Sequence, residues 1–137
     1  MGEVVYMARI MIADDAMIMR RNLGLILEKA GHEIVAEASN GDEAYEGYGK
    51  YQPDLVTMDI TMPVMDGLAA VKKIISSYPN AKIIVISAQG NKYSVMEAIM
   101  NGAASFIVKP IDSKKVIKVV NKVLNIVEET PEETIKQ

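Results

Sequence analysis

The sequence of 137 residues contains no cysteine, and its 15 Lys and Arg residues form no basic run. The absence of cysteine excludes disulfide bonds, thiolate catalysis and zinc–thiolate sites. With a net charge of −3, the chain lacks the positive surface that is typical of nucleic-acid-binding proteins. No apolar run approaches the roughly 18 residues that span a bilayer, and the N-terminus has no basic region like that of a signal peptide. We therefore interpret the chain as a soluble, cytoplasmic protein.

Length and composition predict one globular domain. Half of the residues are hydrophobic and 24% are charged, which is typical of folded rather than disordered chains. Helix and strand patterns extend to residue 127. We predict a single domain over residues 8–127, with an N-terminal extension over 1–7 and a polar, acidic tail over 128–137.

Five short apolar segments, each bounded by Gly, Pro, Asn or Asp, predict β-strands. These strands cover residues 8–13, 33–38, 54–58, 82–87 and 104–108. The continuous run "KIIVIS" indicates a strand that is covered on both faces, as in a parallel sheet.

Segments with helical spacing of apolar residues lie between and after these strands. They predict helices around Leu23–Ala30 closed by Gly31, from about Gly41 to Tyr51, around Val71–Tyr78 before Pro79, from about Lys92 to Asn101, and from Asp112 or Ser113 to Val127. Strands that alternate with helices imply a parallel sheet with helices on both faces. Right-handed crossovers leave few topologies open, one of which is the flavodoxin-like strand order 2-1-3-4-5.

Polar side chains follow four of the predicted strands, where ligands bind in open parallel sheets. Asp14 and Asp15 follow the first strand, Asp59 the third, Ser87 the fourth and Lys109 the fifth. Two carboxylates about 4 Å apart repel by roughly 4 kcal/mol at an effective dielectric constant near 20, and one lysine cannot neutralise three acids. Because all-oxygen ligands favour a hard divalent cation, we expect the three acids to bind Mg²⁺.

The same residues indicate a reaction. A metal ion, an ammonium group and a hydroxyl around a carboxylate are the groups that stabilise a transferring phosphoryl group. Asp59 would be the nucleophile and would form an aspartyl-phosphate.

Four motifs then support a resemblance to a known family. The segments "IADDA", "VTMDITMPVMDG", "ISAQG" and "FIVKP" occur in order between about residues 8 and 124. With them the chain resembles the receiver domains of two-component response regulators, and among these it is most similar to the chemotaxis response regulators. The resemblance implies a flavodoxin-like sheet of order 2-1-3-4-5 with five helices on both faces.

The resemblance also implies roles for the acids. Asp59 would be the phosphoacceptor and Asp15 a direct ligand of Mg²⁺, for which Mn²⁺ would be able to substitute. Asp14 would act mainly through metal-bound water, and the carbonyl group of Thr61 would complete the protein ligands.

Further roles concern the phosphate and the switch. Lys109 would pair with the phosphate, Ser87 would move to bond to it, and the backbone N–H groups of Ile60 and Ala88 would contact it. Phe106 occupies the position of the family's aromatic switch residue, which is often tyrosine. The family usually has a cis peptide bond at the position of Lys109–Pro110.

The function implied is that of a stand-alone signalling switch, not an enzyme beyond its own phosphorylation and dephosphorylation. A CheA-like sensor histidine kinase would phosphorylate Asp59, and the surface of helix 4, strand 5 and helix 5 would then change. The output would be contact with another protein, for which the resemblance implies the flagellar motor switch, made by a monomer that binds neither nucleic acid nor membrane. The runner-up is a phosphorelay receiver that passes its phosphate to a histidine phosphotransferase.

Two other classes fit less well. A phosphatase of the haloacid-dehalogenase type needs a second acid two residues after the nucleophile, where this chain has Thr61. A flavodoxin-like FMN carrier would place a phosphate beside Asp14 and Asp15, which would repel it. Among the remaining candidates, Asp66 is interpreted as the start of the third helix and His32 as a residue without a chemical role. Taken alone, the acid pair could also be a helix N-cap.

Overall fold

Five β-strands and five α-helices alternate along residues 7–126, the part of the chain that the computed structural model describes. In chain order they are β1 (Arg9–Ala13), α1 (Met17–Lys29), β2 (Glu33–Ala38), α2 (Gly41–Tyr51), β3 (Leu55–Asp59), α3 (Gly67–Ser77), β4 (Ile83–Ser87), α4 (Lys92–Met100), β5 (Ser105–Val108) and α5 (Ser113–Leu124). The strands are parallel and follow the order β2-β1-β3-β4-β5. The predicted fold class is therefore confirmed.

Successive strand residues point to opposite faces of the sheet, and helices cover both faces. In β1, Ile10 and Ile12 pack with the apolar residues of α1 and α5, whereas Met11 and Ala13 pack with those of α2, α3 and α4. All five residues of β4 are buried, as the continuous apolar run predicted. The carboxyl ends of the central strands thus lie at the edge of a sheet that is packed on both faces.

Several predicted boundaries are wrong by a residue or more. Strand β3 extends to Asp59, because Asp59 pairs with Ile86 in the β3–β4 ladder. Helix α5 begins after Asp112, whose carboxylate accepts a hydrogen bond from the N–H of Lys114 at 3.2 Å. It ends at Leu124 instead of continuing to Val127, since Asn125 has a φ of 58°, outside the helical range.

Some predictions concern residues outside the described range. The acidic tail, residue 127 and most of the N-terminal extension lie there. Within residues 7–126, no helix is long and apolar enough to cross a bilayer.

Candidate functional site

Three carboxylates meet at the carboxyl edge of the sheet. Strands β1 and β3 are neighbours, so Asp14 and Asp15, directly after β1, lie beside Asp59 at the end of β3. One carboxylate oxygen from each of the three residues lies within 4.8 Å of the others. Asp14 and Asp59 are only 5% and 4% exposed, whereas Asp15 is exposed to solvent. Fold topology therefore brings together the three acids that the sequence singled out.

The backbone around Asp14 is held in place by hydrogen bonds. Its N–H donates to the carbonyl oxygen of Ala38 in β2 at 2.9 Å, and its Oδ1 accepts from the N–H of Ala16 at 2.9 Å. Ala16, and neither of the two acids, is the N-cap residue of α1. The alternative interpretation of the acid pair as a helix N-cap is therefore wrong.

Lys109, from the loop after β5, contributes a positive charge to the acids. Its Nζ lies 3.5 Å from Oδ1 of Asp59 and 3.8 Å from Oδ2 of Asp14. The Lys109–Pro110 peptide bond is cis, as the resemblance implied. The ammonium group thus sits between the two buried carboxylates and balances only part of their charge.

The pKa values of the two buried acids, Asp14 and Asp59, are raised. Burial is the main cause that raises the pKa of Asp14, and the neighbouring charge of Asp15 adds to it. Burial also raises the pKa of Asp59, followed by repulsion from Asp14, while Lys109 and a backbone hydrogen bond from Thr61 act in the opposite direction. In both acids, burial and the neighbouring carboxylates disfavour the charged form more than Lys109 and the backbone hydrogen bonds favour it.

The donor set fits a hard divalent cation. Its oxygens come from three carboxylates that lie close together, and oxygen ligands of this kind, few in number, suit Mg²⁺ with several retained waters. In the described part of the chain, a single ammonium group lies near these acids, so a divalent cation would stabilise their charged forms. Asp14, Asp15 and Asp59 are the side chains that would hold the ion, together with the carbonyl group of Thr61 from the exposed loop after β3.

The residues expected around a phosphate are placed as follows. Ser87 is buried at the end of β4, and its hydroxyl donates to the carbonyl oxygen of Ala88 at 3.1 Å. The N–H of Ile60 donates to Ile86 at 3.0 Å and so continues the β3–β4 ladder. Ile60 is therefore not positioned as expected, whereas the N–H of Thr61 faces the Asp59 carboxylate. This difference could not be predicted from the sequence, because it depends on the residue at which the β3–β4 ladder ends.

An apolar groove lies beside Ser87. It measures about 460 Å³ and runs between the β4–α4 loop, helix α4 and strand β5. Phe106 and the neighbouring Met96 line this groove, and their exposed fractions are 46% and 55%. The expected aromatic switch residue thus stands at the rim of a space that its ring could enter.

Two residues that were given no chemical role are accounted for by local structure. The side chain of Asp66 caps α3 by accepting a hydrogen bond from the N–H of Ala69 at 2.9 Å. His32 is buried, and its Nδ1 accepts a hydrogen bond from the N–H of Ala8 at 3.0 Å. Burial lowers the pKa of His32, consistent with the neutral ring that this bond requires.

One residue that the sequence did not single out touches the site from outside. Arg20, one turn into α1, donates to the carbonyl oxygen of Asp14. Its only signal in the sequence is its place shortly after the acid pair.

The pKa shift of Asp59 leads to a prediction about stability. An acid whose pKa is raised on folding contributes stability below its unfolded pKa of about 3.9, and this contribution is lost as the pH rises through the folded pKa. In chelator at pH 7, Asp59→Asn should therefore raise the melting temperature by about 4 °C, the shift that about 1 kcal/mol produces in a domain of this size. The gain should shrink as the pH falls towards about 4, because Asp59 itself becomes protonated when the pH falls through its raised pKa.

Thermal melts followed by circular dichroism at both pH values check this result. Asp66→Asn is the matched control, since an asparagine can still cap α3, and it should leave the melting temperature unchanged. A lower melting temperature for Asp59→Asn at pH 7 would contradict the prediction.

The parallel sheet with an acidic cluster and a lysine at its carboxyl edge defines a receiver domain. Residues 10–121 match the family described as response regulator receiver domain, and the chain belongs to this family. Within it, the chain is similar to chemotaxis protein CheY. CheY of Thermotoga maritima is 53% identical over 115 residues, which cover 84% of this chain and 96% of that protein. CheY of Bacillus subtilis is 51% identical over 117 residues, covering 85% and 98%.

Solved structures show the same fold. A chain in the CheX–CheY–BeF₃–Mg²⁺ complex from Borrelia burgdorferi has a TM-score of 0.82 and 37% identity, covering 88% of this chain and 90% of that one. The response regulator domain of Thermotoga maritima CheB has a TM-score of 0.77 and 31% identity, covering 90% and 100%.

Proposed function

We propose that this protein is a cytoplasmic chemotaxis response regulator that is phosphorylated on Asp59 in a Mg²⁺-dependent reaction. The observation that carries the proposal is the convergence of three carboxylates within 4.8 Å, with the Lys109 ammonium 3.5 Å from Asp59. A buried carboxylate with an ammonium group and a predicted metal site beside it is equipped to act as a phosphoryl acceptor. The similarity to two CheY proteins over nearly their whole length supports the chemotaxis assignment.

The reaction follows from the charges around Asp59. A carboxylate oxygen of Asp59 attacks phosphorus, a new P–O bond forms, and the P–N bond to the histidine of the donor kinase breaks with its electron pair leaving on the imidazole. Lys109 stabilises the negative charge on the phosphoryl oxygens, and the N–H groups of Thr61 and Ala88 donate hydrogen bonds to them. Mg²⁺, when bound by the acids, would supply further positive charge beside the phosphoryl group.

Phosphorylation would then change the surface beside β4 and β5. Ser87 exchanges its hydrogen bond to the Ala88 carbonyl for one to a phosphoryl oxygen, and Phe106 turns from its exposed position into the adjoining groove. The faces of α4, β5 and α5 change with it, because a modification shifts a two-state equilibrium by its differential stabilisation of the two states. This surface carries the exposed apolar residues Met96 and Met100, which suit an adaptable protein contact.

The proposed partners follow from the relatives. A CheA-like histidine kinase would donate the phosphoryl group, and the flagellar motor switch would be the downstream target. One structural relative is a complex of CheY with CheX, BeF₃ and Mg²⁺ from Borrelia burgdorferi, and this complex supports a protein partner for the present chain.

Intact-mass measurement after incubation with acetyl phosphate tests the proposal. With Mg²⁺ present, the protein should gain the mass of one phosphoryl group, and chelator added beforehand should prevent the gain. The same gain in chelator, or no gain with Mg²⁺, would overturn the proposed reaction.

A further inference from the structure

Arg20 connects the acid pair to the neighbouring strand. Its Nη1 donates to the carbonyl oxygen of Asp14 at 2.7 Å, and its Nε donates to Oε1 of Glu37 in β2 at 2.9 Å. The Arg20 side chain is only 16% exposed, although Glu37 is largely exposed at 57%. The guanidinium group therefore makes two directed contacts from a mostly buried position. These contacts hold it more firmly than a single ion pair on the surface would.

The contacted carbonyl belongs to the peptide that joins Asp14 to Asp15. The N–H on the other side of Asp14 donates to Ala38, so both peptide groups that flank Asp14 are held by hydrogen bonds. Fixing the peptide plane between two adjacent residues limits the directions in which both carboxylates can point. Arg20 contacts the carbonyl oxygen, and the carboxylate groups remain available for other ligands.

We propose that Arg20 is a positioning residue of the metal site, which orients Asp14 and Asp15 for Mg²⁺ without contacting the ion. This role rests on the proposed function, since it assumes that the acids bind Mg²⁺. Residues that orient metal ligands in this way typically change metal affinity by about 10–100-fold when they are replaced. Glu37 completes the arrangement by anchoring the guanidinium group to β2.

Electrostatics and positioning predict opposite signs for the same substitution. Arg20→Met removes a positive charge near a cation site, so long-range electrostatics alone would tighten Mg²⁺ binding. Loss of the hydrogen bond to the Asp14 carbonyl would instead weaken it. Arg21→Met removes an equal charge from the next, exposed position on α1 and gives the electrostatic baseline.

Calorimetric titration of Mg²⁺ into the intact chain, without a phosphodonor, is the test. We expect Arg20→Met to weaken Mg²⁺ binding by about tenfold and Arg21→Met to leave it unchanged or slightly tighter. Arg20→Lys keeps the charge but loses the planar fork that makes both contacts, so it should also bind Mg²⁺ more weakly than the wild type. If circular dichroism shows that Arg20→Met does not fold, the Arg20→Lys variant still tests the proposal.

The outcomes separate this role from the proposed function. Wild-type affinity in both folded Arg20 variants, or tighter binding by Arg20→Met, overturns the positioning role while the metal site stands. A lower urea midpoint with unchanged Mg²⁺ affinity assigns Arg20 to stability alone and also overturns it. Absence of Mg²⁺ binding by the wild type overturns the proposed function, and the role of Arg20 falls with it.

Discussion

Replacement of Asp59 by asparagine is expected to abolish the gain of a phosphoryl group from acetyl phosphate, even at saturating Mg²⁺. The amide keeps the size of the side chain but has no anionic oxygen that can attack phosphorus. It also removes one of the three carboxylates in the cluster, so Mg²⁺ binding should weaken in the same variant. Intact-mass measurement over a time course gives the extent of modification directly.

The matched control for this substitution is Asp66→Asn. Asp66 is an exposed acid seven positions along the chain that caps α3 through its Oδ1, and asparagine preserves this cap. The Asp66 variant should gain one phosphoryl group at the wild-type rate. A Mg²⁺-dependent gain that persists in Asp59→Asn would place the acceptor on another residue and contradict the assignment.

The sequence predicted best those elements whose limits are set by local chemistry. Helix α2 has its predicted bounds, because the Asn40 side chain accepts a hydrogen bond from Glu43 at its start and Gln52 leaves the helical conformation at its end. The run "KIIVIS" predicted a strand buried on both faces, since β-branched residues without alternation suit the interior of a parallel sheet. The acids were also predicted from local sequence, because each of them follows directly after a predicted strand.

Other features depend on tertiary register and could not be predicted. The N–H of Ile60 is committed to the ladder with β4, and only the alignment of two strands decides whether it faces a ligand. Arg20 in helix α1 has a long side chain that donates a hydrogen bond to Glu37 in strand β2. The end of α5 was mispredicted for a different, local reason: the apolar spacing continues to Val127, but the left-handed backbone of Asn125 ends the helix at Leu124.

Gly67→Ala is expected to destabilise the fold severely, because Gly67 lies against the strand that carries Asp59. A Cβ atom at this position would overlap the carbonyl oxygen of Asp59 and would lie 2.8 Å from the Cα atom of Ile60. The N–H of Gly67 also donates to the carbonyl oxygen of Ile60 at 2.7 Å. Since the obstructing atoms are backbone, the strand end or the helix start must move, at a cost of about 3 kcal/mol or more.

The same substitution at Gly24 should have the opposite sign. Gly24 lies within α1, and its Cβ would meet side-chain atoms of Ile12 and Ile34 at the ordinary distances of 3.8 and 4.0 Å. Gly24→Ala should therefore stabilise the protein by up to about 1 kcal/mol, the difference between alanine and glycine in a helix interior. Urea unfolding of both variants measures the two changes on one scale, and equal stability of Gly67→Ala and the wild type would contradict the close approach.

The close approach of Gly67 to Asp59 should also affect the rate at which Asp59 is phosphorylated. A shift of the backbone at Asp59 moves its carboxylate relative to Asp14 and to Lys109, whose ammonium group lies 3.5 Å away. The folded fraction of Gly67→Ala should therefore accept phosphate more slowly than the wild type, because small errors in placement are costly for phosphoryl transfer. Gly24→Ala, whose change is confined to the α1 face, should react at the wild-type rate. Comparing initial rates per folded molecule separates this effect from the loss of stability, and a wild-type rate for folded Gly67→Ala would show that the strand end tolerates the shift.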